Sequence, residues 1–392
     1  MSLKNYIEVK KIRIFLLVAA AVLSLGSCTR KTAANRELLL FVRQALSDSA
    51  GTFPLIKAYN EKGSAGTIAV IGEPEEAILL AEHFVSVDRM NNIDGKEAPD
   101  GLPDFSGETF DVIMDSYDAP YVRFIGGDTD SLREATVRGV LFALDTTCLV
   151  TPYSFEVKKP KTPSKVFVLA SSLATAYGRH DVDTLFRLAG LSGQVVSTAD
   201  ASMAAAFKGE GPRNVVVWAD SDVALSSTYD RAFQLYSKPG SSVSVLSPDG
   251  GGDASARLRS LLTKYLRSGK PMPLNALILD DFGVDTDFLN DELQRIRQKG
   301  TDEDIVLSKV VAPDFEIIDP LDETTEACYR LLRRENRFTH NIAYPKARFY
   351  EVEESIDGYP VLTGVSNRYM ASEIGDFVDV NTVAIRPFYV SE

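Results

Sequence analysis

With 42 basic against 55 acidic residues in 392, the chain carries a net charge of −13. Such a surface repels phosphate backbones and anionic headgroups, which argues against nucleic acid as a partner and against electrostatic docking on a membrane. Its length favours about two domains, and three cysteines and three histidines with no CxxC or HExxH give no zinc site of the usual kind and no expected metal or cofactor.

The chain opens on basic residues (Lys4, Lys10, Lys11, Arg13), followed by the uncharged run Ile14–Ser27. Its apolar part, Ile14–Leu25, falls well short of the roughly 20 residues that span a bilayer. Positive charge before it and small residues after it make it a signal-peptide h-region. Leu25-Gly26-Ser27-Cys28 resembles the bacterial lipobox, in which the cysteine thiol is acylated and becomes a membrane anchor. That resemblance implies a signal peptide over 1–27, lipidation at Cys28, a polar tether over 28–36 and a lipid-anchored place in the bacterial cell envelope. The other cysteines, Cys148 in TTCLV and Cys328 in EACYRLL, sit among apolar neighbours and read as two separate buried thiols, although an oxidising compartment would permit a pair.

After the tether, RELLLFVRQAL reads as a helix. GTIAVIGE and TFDVIMDS are strands, EEAILLAEHFV and SLREATVRGVLFALD helices, and YVRFIGG reads as a further strand. The long Gly/Pro/Asp-rich stretch NNIDGKEAPDGLPDFSGE reads as a loop. SFEVKKPKTPSK, with its lysines and prolines, is the expected crossing between lobes.

From Lys165 on, a strand–helix unit repeats. KVFVLASS, NVVVWADSD, SVSVLSPDGGG and NALILDDF are apolar runs without alternation, as in strands buried on both faces. DVDTLFRLAG, ASMAAAF, ALSSTYDRAFQLY, ARLRSLLTKYL and FLNDELQRIRQ are the intervening helices. Strands alternating with helices imply parallel sheets with right-handed crossovers. The expected fold class is therefore α/β, with two doubly wound Rossmann-like lobes around a cleft. The first lobe would span 37–157 and the second 158–310. Residues 311–392 would form a crossover and return segment ending in strands.

Ligands of open parallel sheets lie beyond the carboxyl ends of the strands. Those ends carry Ser171-Ser172, Asp220-Ser221-Asp222, Ser247-Pro248-Asp249 and Asp280-Asp281. Such residues line a site or simply cap the next helix. The glycines of SPDGGGDAS read as a flexible turn, because Asp249 and Asp253 would repel an anion. DDFGVDTDFLNDE lacks EF-hand spacing. GGDTDS is a lone Asp-x-Asp, and His180 has no nucleophile tied to it by a motif. No catalytic residue is assigned.

The stretch from KVFVLASSLATAYGRHDVDTLFRLAGLSGQVVS to SVSVLSPDG, Lys165 to Gly250, resembles the second lobe of type I periplasmic binding proteins of the branched-chain amino-acid-binding and receptor-type branch. Tyr177-Gly178 and Gly193–Val196 carry the likeness. The family's Ser/Thr-rich grip on an amino-acid backbone is missing from the first lobe. The resemblance implies a lipid-anchored solute-binding protein that closes on a small polar ligand lined by Ser171, Ser172, Tyr177, Asp220 and Asp249, with a transporter or envelope complex as a further partner. A non-catalytic envelope scaffold with a degenerate binding-protein fold and a hydrolase with an unrecognised site are the alternatives.

Overall fold

The computed structural model describes residues 37–365 apart from 226, 250, 251, 340 and 342. The signal peptide, the tether and Cys28 lie outside the described residues. No helix among the described residues is long and apolar enough to cross a membrane.

The chain begins with helices α1 (Leu40–Ser47) and α2 (Thr52–Lys57), then β1 (Thr67–Gly72), α3 (Pro74–Ser86) and β2 (Thr109–Asp115). A 3-10 turn, Tyr121–Phe124, precedes α4 (Thr129–Leu144) and the hairpin β3 (Thr147–Thr151) and β4 (Ser154–Pro160). Next come β5 (Ser164–Leu169), α5 (Ser172–Leu188), β6 (Val195–Ser197), α6 (Thr198–Ala206) and β7 (Asn214–Trp218). Helices α7 (Ser221–Leu225) and α8 (Asp230–Tyr236) lead to β8 (Ser242–Leu246), α9 (Ala254–Arg267) and β9 (Leu274–Leu279). The chain closes with α10 (Thr286–Gln298), α11 (Asp302–Leu307), β10 (Val311–Ile318), α12 (Pro320–Arg334), β11 (Lys346–Glu354) and β12 (Pro360–Gly364).

The strands form two sheets, an eight-stranded one in the order β4-β3-β12-β11-β2-β1-β5-β6 and a four-stranded one in the order β10-β9-β7-β8. Every pairing in the small sheet is parallel, as are the pairings that join β11, β2, β1, β5 and β6 in turn, whereas β11 and β12 run antiparallel. The mixed α/β, two-lobed architecture with parallel sheets is thus the one expected. Sheet membership changes after β6, not at residue 157, so β5 and β6 belong to the large sheet. YVRF is a 3-10 turn, not a strand. SFEVKKP is an edge strand of the large sheet rather than a crossing.

Apolar strands fully buried along their length, such as β1 and β5, place hydrocarbon on both faces. One core packs α3 and α12 against the large sheet through Leu80, Phe84, Phe110 and Leu332. Another packs α9 and α10 on the small sheet around Trp218, Leu262 and Leu293. A third is shared by both lobes: Tyr121, Leu132 and Leu173 from the large one meet Val215, Val217 and Ile278 from the small one. A hinge opening freely between the lobes would expose that surface, at roughly 25 cal/mol per Å2.

At the amino edge of the large sheet, the buried Lys165 ammonium donates to Glu108 at 3.0 Å and to the Arg337 carbonyl at 2.8 Å. Arg337, fully buried, donates to the carbonyls of Asn60 and Glu61. A cavity of about 210 Å3 lies on this same edge, beside Tyr59, Leu144 and Lys165.

Candidate active site

The opposite, carboxyl edge is where polar chemistry gathers, because each buried strand reaches its first polar side chain on leaving the core. Glu73 follows β1 as the N-cap of α3, and Asp115 ends β2. Ser171 is the N-cap of α5, two residues past β5. Asp280 follows β9 directly. Strands β2, β1 and β5 are adjacent, so three of these positions come from neighbours. At the end of β1 the absence of a side chain at Gly72 matters, since a Cβ there would stand 3.0 Å from that of Ala170.

The side chains form a continuous series across both lobes. Asp115 accepts from the Tyr121 hydroxyl at 3.0 Å and from the amide of Asp118 at 3.1 Å. Burial and the neighbouring Asp118 hold Asp115 up at about 6. Glu73 accepts from the amide of Tyr121 at 3.1 Å, and burial pushes its carboxyl up even so. Glu76, on the first turn of α3, is pushed well above the ordinary glutamate range, first by burial and then by Glu73 and Asp280. Its Oε2 is buried and has no hydrogen-bond partner among the described residues. Asp280 accepts from the Ser172 hydroxyl at 3.0 Å. Burial raises Asp280 to about 7, against the hydrogen bonds from Tyr229 and Ser172 that favour its charged form.

The two phenols are locked as donors. Burial and adjacent carboxylates push Tyr121 and Tyr229 well above the usual tyrosine range. Positive charge lies at the two ends: Arg138 pairs with Asp118 and Arg123 approaches Asp118 at 3.3 Å, while Arg257 stands 3.6 Å from Asp281. Among the described residues no group of His, Cys, Asp and Glu is arranged to hold a metal ion. The thiols Cys148 and Cys328 are free, buried and outside this series. Chemically, the arrangement sets two carboxyls that titrate near neutral pH, Asp115 at about 6 and Asp280 at about 7, beside the raised Glu73 and Glu76 and fixed hydroxyl donors.

Of the side chains expected to line a ligand site, Ser171 and Ser172 are here, hydrogen-bonded to Glu76 and Asp280. Asp220 is exposed beside them and close enough for its charge to raise Asp280. Tyr177 is elsewhere, packed on the shared apolar core from within α5. The Tyr177-Gly178 pair lies inside α5. A Cβ at Gly178 would lie 2.3 Å from Thr136, so this glycine lets α5 close on α4. Asp249 is an exposed surface group, held by Lys264 at 2.6 Å and by the Ser260 hydroxyl at 2.9 Å, with its charge already neutralised. Sequence reasoning missed Glu73, Glu76, Asp115, Tyr121 and Tyr229. Two of them, Glu73 and Asp115, follow the same rule of the first polar residue after a buried strand, applied to the first lobe.

No family model matches the chain, and no curated protein matches it. Among solved structures it is similar to glutamate racemase isoform RacE1 from Bacillus anthracis, with 16% identity, TM-score 0.48, and 75% of this chain and 91% of that one covered. It is also similar to glutamate racemase from Francisella tularensis in complex with D-glutamate, at 14% identity and TM-score 0.46, covering 75% and 91%. A third neighbour is an aspartate racemase homologue from Pyrococcus horikoshii, at 13% identity and TM-score 0.35, covering 69% and 100%. These neighbours replace the type I periplasmic binding proteins that the second-lobe rhythm suggested. The strand–helix rhythm is common to doubly wound folds, and the one dipeptide that narrowed it is helical here. The reading as a solute-binding protein is overturned with that resemblance, and the hydrolase alternative gains no support from these neighbours.

Proposed function

We propose that this chain is an enzyme that moves protons on a small substrate at the carboxyl edges of its two sheets. Asp280 and Glu76 exchange the protons, and Ser172 and Tyr229 hold the Asp280 carboxyl in place. The observation that carries this reading is a half-buried carboxyl pair, Asp280 raised to about 7 and Glu76 pushed well above the glutamate range, in which the buried Glu76 Oε2 has no hydrogen-bond partner among the described residues. General acid–base catalysis is most efficient when the catalytic group titrates near the working pH. Two interacting carboxyls contributed by different lobes, both raised by burial, share protons between them.

The charge of the site restricts the substrate. Glu73, Glu76, Asp115, Asp280, Asp220 and Asp281 outnumber the nearby guanidinium groups, so a neutral or cationic molecule fits and an acidic amino acid is repelled.

Incubating the protein in D2O with amino acids, amines and polyols tests this, with NMR reading loss of carbon-bound protons. We expect exchange into a neutral or cationic compound, lowered about 100-fold or more in Asp280→Asn. No exchange with any compound between about pH 5 and 9, or equal exchange in Asp280→Asn, overturns the assignment.

A further inference from the structure

Four strands have a free edge, β4 and β6 in the large sheet and β10 and β8 in the small one. Free edges recruit other strands through their unpaired amide and carbonyl groups, and proteins blunt them with lysines, prolines, bulges or shortness. β4 carries Lys158, Lys159 and Pro160. β6 has only 3 residues. β10 holds Pro313 and shifts register between Val311 and Glu316, and Arg297 donates to the carbonyls of Ala312, Pro313 and Phe315. β8, with the sequence Ser242-Val243-Ser244-Val245-Leu246, has none of these devices. It pairs with β7 from Asn214–Ser242 to Trp218–Leu246 without a shift.

The Ser242 amide donates to the Arg213 carbonyl at 3.0 Å, and the Leu246 carbonyl accepts from the Ala219 amide at 3.1 Å. In a parallel ladder, alternate residues direct both backbone groups at the same neighbour. Ser242, Ser244 and Leu246 therefore face β7, and Val243 and Val245 turn their amides and carbonyls outward. The side chains of Val243, Val245 and Leu246 are only half-buried against the cores beneath them, although parallel sheets are normally covered. Ser244 is 7% exposed, and its buried hydroxyl has no hydrogen-bond partner among the described residues.

We propose that β8 pairs antiparallel with β8 of a second copy of this chain, about a two-fold axis through Ser244, so that the two small sheets become one. Val243 then stands opposite Val245 of the other copy, and the outward groups of both meet as bonded pairs. Ser244 meets Ser244 at the non-bonded position on the axis, where side chains lie closest, and each hydroxyl gains the other as partner. An axis through Val245 would set that hydroxyl against Leu246, and one through Val243 would set it against Ser242, which already donates to Asn214. Charge agrees with the arrangement, because antiparallel pairing brings the amino end of one β8 to the carboxyl end of the other. Lys238, in the turn that leads into β8, comes beside Asp249 of the other copy, whose side chain is 71% exposed. A two-fold interface must be self-complementary in this way.

Sedimentation velocity of the full chain in a mild non-ionic detergent reads the association. A dimer at tens of micromolar is expected. Lys238→Glu sets like charges together and weakens it about fivefold, whereas Lys238→Arg leaves it unchanged. Val245→Pro removes an outward amide rather than one of the β7 ladder, and it abolishes the dimer while the far-ultraviolet circular dichroism stays the same. Ser244→Cys, nearly isosteric, cross-links to itself under mild oxidation, since non-bonded antiparallel partners lie at about 4.5 Å between Cα atoms, within disulfide reach. Ser242→Cys, on the same face but off the axis, cross-links no faster than the parent chain. A monomer at about 100 μM, a dimer that Lys238→Glu does not weaken, or Ser244→Cys linking no faster than Ser242→Cys overturns the proposal.

Discussion

Asp280 is held in two opposing ways at once. Its partners Ser172 and Tyr229 donate to it and favour the carboxylate, yet burial outweighs them and leaves it titrating at about 7. Between the ordinary aspartate range and that value, the folded chain keeps a proton that the unfolded chain has lost. Stability from this group is therefore greatest at low pH and falls as pH rises towards 7, after which the whole penalty stands. Asp280→Asn, which cannot ionise but still accepts from Ser172, is expected to stabilise the protein at pH 8 by on the order of 3 kcal/mol while changing it little near pH 4. Urea unfolding at the two pH values reads this. Equal destabilisation at both would mean that Asp280 is an ordinary ionised carboxylate.

At the scale of the elements, the helix pair α4 and α5 holds the shared core in place. Arg133 on α4 makes a two-pronged pair with Asp181 on α5, at 2.8 and 2.7 Å, both side chains buried. Arg133→Met leaves Asp181 charged and unpaired in the interior, for an expected loss of about 3–5 kcal/mol. Arg133→Met with Asp181→Leu recovers most of it, because an apolar pair of similar volume replaces a buried ion pair at little cost. A double-mutant cycle by chemical denaturation measures both.

How far the sequence revealed these elements depended on burial. Strands β1, β5, β7 and β9 were legible as nearly continuous apolar runs because they are buried on both faces, β2 despite Asp111 within it, and β8 although its serines alternate with valines. β4 was not, because it is exposed on both faces and its lysines imitate a linker. YVRF was misread since a short, mostly apolar stretch suits either a strand or a turn, and Tyr121, fully buried against the site, anchors it there with Val122 and Phe124 on the shared core. The amphipathic helix α12 was not assigned, although Cys328, Tyr329, Leu331 and Leu332 give its buried face. Half of the site followed from strand ends in the second lobe. The rest depends on which strands lie side by side, and no local pattern in the chain reveals that Asp280 of the small sheet approaches Glu76 of the large one.

At the scale of the whole molecule, the two sheets turn their carboxyl edges to a common place while hydrocarbon joins the lobes behind it. The large lobe supplies Glu73, Glu76, Asp115 and Tyr121 and the small one Asp280 and Tyr229, and burial is what raises the titration of all six. The account predicts protonated carboxyl groups in the folded protein at neutral pH, set by geometry and independent of any substrate. Infrared titration of the carboxyl C=O stretch tests this most directly, comparing the protein with Asp280→Asn. The expected result is a protonated-carboxyl band persisting at pH 6, partly removed by the substitution and fading through pH 7. A spectrum in which every carboxyl is ionised by pH 5.5, or a band at pH 6 unchanged by Asp280→Asn, would contradict it.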